Sequence, residues 1–230
     1  MEFKNFINSA IATGVAELIM SPVCLVKTNF QNGKVSISQT IKQIYQKYGI
    51  GGFYTAGPIA ISTQIFSTSS KFFMYKLICD NVGGNNYINN TFGCLCVSIL
   101  THPLDWIKVN QQMHVSKILF TILENPTTLY RGYSKTFCKT LISAPLFFPL
   151  QEELKERTGS GVLGSILSST IATIAMQPLD YLKNRQMYGN DLYGTPGFKI
   201  YFRGFTLNLF RVVPHFVMVM SITEFLNKKL

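Results

Sequence analysis

Charge is scarce in this chain of 230 residues: 14% are Asp, Glu, Lys or Arg, and only 11 are acidic. With 47% hydrophobic residues and a mean hydropathy of +0.20, the composition is too apolar for a typical soluble domain and favours a membrane protein. Histidine is equally sparse, and His102, His114 and His215 share no metal-ligand spacing. The five cysteines, Cys24, Cys79, Cys94, Cys96 and Cys138, form no Cys-x-x-Cys pair and lie mainly in apolar runs. Neither a zinc site nor a disulfide framework is signalled. No nucleophile elbow, His-Glu-x-x-His helix or phosphate-binding loop is present, so the chain is not read as an enzyme, and no cofactor or metal is expected. Gly/Ser/Pro-rich linkers are missing too, which makes residues 1–230 a single domain. The first twenty residues carry no Arg-rich presequence and no clear cleavage site, so targeting to a membrane is expected to be internal.

What charge there is has one sign. The formal balance of +10 implies nucleic acid, anionic lipid or a small anionic substrate as partner. The basic residues are dispersed among apolar stretches rather than gathered on a polar face, which argues against nucleic acid.

The chain repeats itself. "SPVCLVKTNFQ", "HPLDWIKVNQQ" and "QPLDYLKNRQM" bring Pro22, Pro103 and Pro178 into register, each followed five residues later by a lysine, Lys27, Lys108 and Lys183. A second landmark follows each proline: Tyr54-Thr55-Ala56, Tyr130-Arg131-Gly132 and Phe202-Arg203-Gly204. Three units result, approximately residues 1–82, 83–158 and 159–230. Each holds two apolar stretches: Phe3 to Phe30 and Ala56 to Cys79, Ile88 to Met113 and Gly132 to Lys155, Gly161 to Met187 and Gly204 to Leu226. Every stretch is long enough to cross a hydrocarbon core of about 30 Å as a helix rising about 1.5 Å per residue. The reading is an all-α membrane protein with six transmembrane helices. Between the first two stretches, Ile37, Ile41, Ile44, Tyr45 and Tyr48 recur at helical spacing and Gly49 can end the helix, predicting a short amphipathic helix on the membrane surface. That connection carries Lys34, Lys42 and Lys47 without an acid, whereas the opposite side has Lys76 and Asp80, so the lysine-rich side is the non-translocated, matrix-like face.

Proline inside a helix removes a backbone hydrogen bond and kinks it. Asp105 and Lys108, like Asp180 and Lys183, stand three residues apart and share a helix face. Ionisable side chains at membrane depth are costly unless they pair inside a bundle or a wet cavity. Three kinked helices leaning together would link carboxylate to lysine in a ring that can be broken and remade.

The pattern Pro-x-[Asp/Glu]-x-x-[Lys/Arg], recurring three times and each time followed by an aromatic-Arg-Gly landmark, resembles the signature of the mitochondrial carrier family of solute transporters. The resemblance covers essentially the whole chain. Its short loops and its Asn, Ile and Lys usage are similar to the reduced carriers of giant DNA viruses of amoebae. The resemblance implies six helices about a pseudo-threefold axis with surface helices on the matrix side, residence in the mitochondrial inner membrane, a monomer, membrane lipid such as cardiolipin as partner, and exchange of solutes by alternating access.

Carried over position by position, the resemblance makes Lys27, Asp105, Lys108, Asp180 and Lys183 a matrix-side gate, with Asp105 pairing Lys183 and Asp180 pairing Lys27. Cys24 stands where the third acid belongs, leaving Lys108 either solvated or able to attract an anionic substrate; Cys24→Asp is expected to strengthen the gate. The opposite, cytoplasmic gate is expected to be weak: Lys76, Glu152, Lys155 and Glu224 remain, but Cys79 and Asn227 replace charges and only the middle copy is complete. Seven residues beyond Ala56, Gly132 and Gly204 lie Thr63, Lys139 and Arg211, at the level of the family's substrate contacts. With Lys71 they form a cationic cavity, joined by Gln64, Thr140 and Glu17 as lining residues; the alternative reading of Glu17 is as the neutraliser of a neighbouring cation. Several separated cations suit a nucleotide, deoxynucleotides included, because Arg grips phosphate bidentately while Lys acts as a point charge. The Lys139-Thr140 pair differs from the Gly-aliphatic pair typical of adenine nucleotide carriers, which leaves a keto acid, phosphate or another anion open. The rival class is a non-transporting scaffold or a leak pathway.

Overall fold

The computed structural model describes residues 2–33, 35–82, 86–189 and 198–229, with the side chains of residues 2–7, 9, 69, 72, 73, 75, 76, 79–82, 86, 148, 198, 199, 224 and 227–229 outside the description. The described residues form helices and no strand: α1 Glu2–Asn32, α2 Ile37–Tyr48, α3 Gly57–Val82, α4 Asn86–Gln112, α5 Ile118–Glu124, α6 Tyr133–Leu146, α7 Phe148–Thr158, α8 Gly161–Tyr188 and α9 Phe205–Lys229.

The helices show why the chain is poor in charge yet rich in serine and threonine at its centre. In α8, Ser165, Ser168, Ser169, Thr173 and Gln177 are fully buried, while Leu163, Leu167, Ile171 and Ile174 stand out on the surface, Leu163 half exposed at 50%. A soluble helix would place these two sets the other way round. Ile11, Leu18, Phe92, Leu100 and Phe210 extend the apolar exterior over the neighbouring helices. The buried hydroxyls are satisfied within their own helix: Ser169 Oγ donates to the Ser165 carbonyl at 2.6 Å and Thr173 Oγ1 to the Ser169 carbonyl at 2.6 Å. Polar groups in hydrocarbon need such internal partners. Among the described residues four stretches are long and apolar enough to cross a membrane: Ala10–Asn32, Tyr87–Gln112, Gly161–Tyr188 and Ile200–Thr223.

The second and fourth expected spans depart from that description for different reasons. α3 is long, at 26 residues, but carries Lys71, Lys76 and Asp80 along with its serines and threonines. The fourth, read from the sequence as one span from Gly132 to Lys155, is broken at Phe147, where the backbone turns through φ −83, ψ −82 between α6 and α7. Pro145 and Pro149 sit four residues apart, so the Pro149 ring meets the carbonyl that a continuous helix would direct at its missing N–H. The 14 residues of α6 reach about 21 Å, short of a hydrocarbon core.

Packing runs around the molecule in chain order. α1 lies on α3, α3 on α4, α4 on α6, α6 and α7 on α8, α8 on α9, and α9 returns to α1. The three helices with the repeated proline motif, α1, α4 and α8, also touch one another. α7 and α8 approach closely because Gly164 has no side chain: a Cβ there would stand 3.0 Å from the Lys155 backbone N and 3.1 Å from the Gln151 carbonyl oxygen. Gly164→Ala must push backbone against backbone, and we expect it to cost about 1–3 kcal/mol, read as a lower thermal midpoint of the purified protein. An unchanged midpoint would show that α7 yields freely.

The surface helix α2 begins with a capping box, Ser36 Oγ accepting from the Gln39 N–H while the Gln39 side chain accepts from the Ser36 N–H, and ends at Gly49, whose positive φ of 65 suits glycine. Ile44 seals it against Leu25 and Val26 of α1. The aromatic-Arg-Gly landmarks serve as clasps between repeats. Arg203 donates from Nε to the Phe30 carbonyl at 2.9 Å and from Nη2 to the Val35 carbonyl at 3.0 Å, placing a cation at the C-terminal end of α1. Arg131 lies against Gly189 at the end of α8. In the first copy Thr55 replaces the arginine, and it lines a hollow with Tyr48, Gln111 and His114 at the end of α4.

Candidate functional site

The proline motifs place their charged residues where α1, α4 and α8 meet. Lys27, Lys108, Asp180 and Lys183 are all buried there. Lys183 Nζ lies 2.7 Å from Asp105 Oδ2, joining α8 to α4, and Lys27 is paired with Asp180, joining α1 to α8. Lys108, which has no acid opposite it in the motif, meets Glu17 Oε1 at 2.6 Å and so joins α4 to α1. The expectation of a lysine without a partner is thereby corrected: the missing charge at Cys24 is supplied from two turns earlier on the same helix. Cys24 itself accepts from Gln112 Nε2 at 3.1 Å.

A second polar layer lies just beyond. Asn29 Nδ2 donates to the Gln112 carbonyl at 2.7 Å, Asn184 Nδ2 to Gln31 Oε1 at 2.6 Å, and Asn110 Nδ2 to the Met187 carbonyl at 3.5 Å. Each of the three helix junctions receives one such bond. The sequence reading missed these amides. Their signal was present in it, because Asn29 and Asn110 occupy the same place two residues after a motif lysine.

The residues predicted at mid-depth are tied to the same carboxylates. Lys139, on α6, pairs with the other oxygen of Asp180, and Arg211, on α9, brings Nη2 to 3.5 Å from Glu17 Oε2. His215, one turn further along α9, places Nε2 3.4 Å from the same oxygen. Asp180 thus joins a motif lysine to a mid-depth lysine, and Glu17 joins a motif lysine to a mid-depth arginine. Two of the cations expected from the sequence to line a cavity, Lys139 and Arg211, are instead paired with acids. Its balance stays positive, since Lys27, Lys108, Lys139, Lys183 and Arg211 face Glu17, Asp105 and Asp180.

Within this cluster Glu17 Oε2, Arg211 Nε and His215 Nε2 are buried without a hydrogen bond, and Thr13 Oγ1 and Thr63 Oγ1 are likewise buried without one. Buried donors rarely stay unsatisfied, so the cluster has capacity for a polar ligand. Gln64, Lys71 and Thr140 are half-buried and make no side-chain hydrogen bond or ion pair among the described residues. Of the second expected gate, Glu152 and Lys155 are exposed on α7, while Lys76, Cys79, Glu224 and Asn227 lie outside the described side chains, as do Lys34 and Asp80 of the connections. No group of three or more metal-ligating side chains occurs among the described residues.

The family model described as mitochondrial carrier protein matches residues 2–86. A mitochondrial carrier-like protein of Acanthamoeba polyphaga mimivirus is 46% identical over 233 residues, covering 99% of this chain and 98% of the relative. The chain belongs to the mitochondrial carrier family. Members of this family are transporters and not enzymes, and the apolar exterior of the helices agrees with residence in a membrane. A mitochondrial RNA-splicing protein of Saccharomyces cerevisiae is 33% identical over 144 residues, 59% of this chain and 46% of the relative. A mitochondrial glycine transporter of the same yeast is 24% identical over 188 residues, 67% of this chain and 61% of the relative. Carriers with differing names are thus similar to this chain.

Proposed function

We propose that the protein exchanges anionic metabolites across the mitochondrial inner membrane by alternating access, with nucleotides, deoxynucleotides included, as the leading cargo. In this reading residues 1–230 form one carrier domain of three repeats, 1–82, 83–158 and 159–230, whose six membrane-crossing segments surround the site as a monomer, with membrane lipid such as cardiolipin around it. The crossing by α6 and α7 is a bent one, made of two helices joined at Phe147.

The observation that carries the proposal is the excess of cations over carboxylates in the cluster where Lys139 of α6 and Arg211 of α9 join the paired charges of α1, α4 and α8. An anion with several charged oxygens can meet Arg211 in a fork and Lys139 as a second point, with Thr63 Oγ1 as an additional hydrogen-bonding group. Lys27, Asp105, Lys108, Asp180 and Lys183 form the matrix-side gate, and Lys76, Glu152, Lys155 and Glu224 the remnant of the opposite one. Pro22, Pro103 and Pro178 lie inside their helices, where each removes a backbone hydrogen bond and so favours a kink that would bring the motif residues together.

The test is uptake into liposomes of labelled nucleotides, inorganic phosphate and di- or tricarboxylates, with vesicles either empty or preloaded with the same solute. Saturable uptake of nucleotides confined to preloaded vesicles is the expected result. Preference for phosphate or a carboxylate would keep the exchange and change the cargo. Equal uptake into empty vesicles would make the protein a leak pathway, and no uptake by folded protein would make it a membrane scaffold.

A further inference from the structure

Three motif lysines face only two motif acids, yet all three lysines are paired. The third pair uses Glu17, which lies seven residues before Cys24 and therefore on the same side of α1. The two positions also face the same helix, Cys24 meeting Gln112 and Glu17 meeting Lys108 on α4. Glu17 is fully buried.

We infer that Glu17 is the third carboxylate of the gate, displaced from position 24, and that its displacement couples gate closure to Arg211. The functional half of this inference rests on the transport reading above. Glu17 uses its two oxygens differently: Oε1 takes Lys108, which links α4 to α1, and Oε2 faces Arg211 and His215 of α9. A carboxylate at position 24 would answer to the gate alone. At position 17 it also stands within ion-pair reach of the guanidinium that the proposed cargo must engage, while its Oε2, Arg211 Nε and His215 Nε2 make no hydrogen bond. A cargo anion that takes Arg211 therefore draws one partner away from Glu17 while the gate is still closed, and its departure returns that partner as the gate reseals. Glu17 acts as a positioning residue, moving no proton and forming no bond with the cargo.

The experiment compares wild type, Glu17→Gln and Glu17→Gln/Cys24→Asp, each purified and placed in liposomes, with labelled ATP, inorganic phosphate and citrate as probes and the thermal midpoint as a readout that needs no transport. Glu17→Gln should lower the thermal midpoint and cut maximal exchange at least tenfold. Adding Cys24→Asp should return a partner to Lys108 and recover the midpoint and most of the maximal rate. The half-saturation concentration should stay shifted in the double variant, because Arg211 is still released from Glu17. A residue that only fills space would not be rescued by a charge seven positions away. Failure of Cys24→Asp to raise either the midpoint or the exchange rate of Glu17→Gln would overturn the inference. If Glu17→Gln does not fold, recovery of folded protein in the double variant supports the inference, and no recovery refutes it. Thermal rescue in a protein whose wild type moves none of the probes would uphold Glu17 as the third gate acid and sink the transport reading instead.

Discussion

Asp180→Asn should be the most damaging single substitution in the molecule. Asp180 takes Lys27 on one oxygen and Lys139 on the other, with Asp180 and Lys27 almost completely buried. Asparagine keeps the shape and removes the charge, leaving two lysines at membrane depth without a counter-ion. Removing one partner of a buried pair costs about 3–5 kcal/mol, because the charge left behind has lost its water and gained nothing. For a chain of this size such a loss lowers the thermal midpoint by roughly ten degrees. The comparison that makes the result informative is Glu153→Gln. Glu153 meets Arg157 at 2.6 Å, but 44% and 72% of the two side chains are exposed, so that pair contributes about half a kcal/mol or less. Equal shifts for the two variants in a thermal melt would mean that the central pairs are solvated and hold nothing together.

The second large effect is on function. Lys139→Ala and Arg211→Ala should each abolish measurable anion uptake while leaving the protein inserted and folded. Neither variant strands an acid, since Asp180 keeps Lys27 and Glu17 keeps Lys108. A hydrogen bond between charged groups contributes about 1.5–3 kcal/mol, so each loss weakens cargo binding by one to two orders of magnitude. Arg211→Lys should rescue poorly, because a point charge cannot reproduce a planar fork. Normal uptake by both alanine variants would remove these residues from the site.

The repeat made much of this arrangement legible. Pro22, Pro103 and Pro178 with their lysines announced three equivalent helices, and those helices do meet. Ser36, Gln39 and Gly49 carried the signals for both ends of α2. Glu17 was harder to place, because repeat logic detects only what recurs. Its counterparts five residues before Pro103 and Pro178 are Ser98 and Thr173, neither of them charged. Its role follows from which helix lies opposite, and that is a matter of packing. The break at Phe147 was obscured for the opposite reason: the signal, two prolines four residues apart, was in plain view but lay inside an apolar run that reads as one continuous span. Hydropathy averages over a window, whereas a missing N–H acts at a single residue.

The sharing of Asp180 and Glu17 between motif lysines and mid-depth cations bears on which solutes the proposed carrier would accept. The proposed carrier holds tethered anions of its own where the charges of a passenger would go. A halide ion, offering one diffuse charge, is a poor rival for carboxylates already in place. A solute with several charged oxygens on one framework challenges both tethers together. In the proposed carrier the ion pairs that hold the gate would thus also act as a threshold, setting the smallest charge that could persuade it to open.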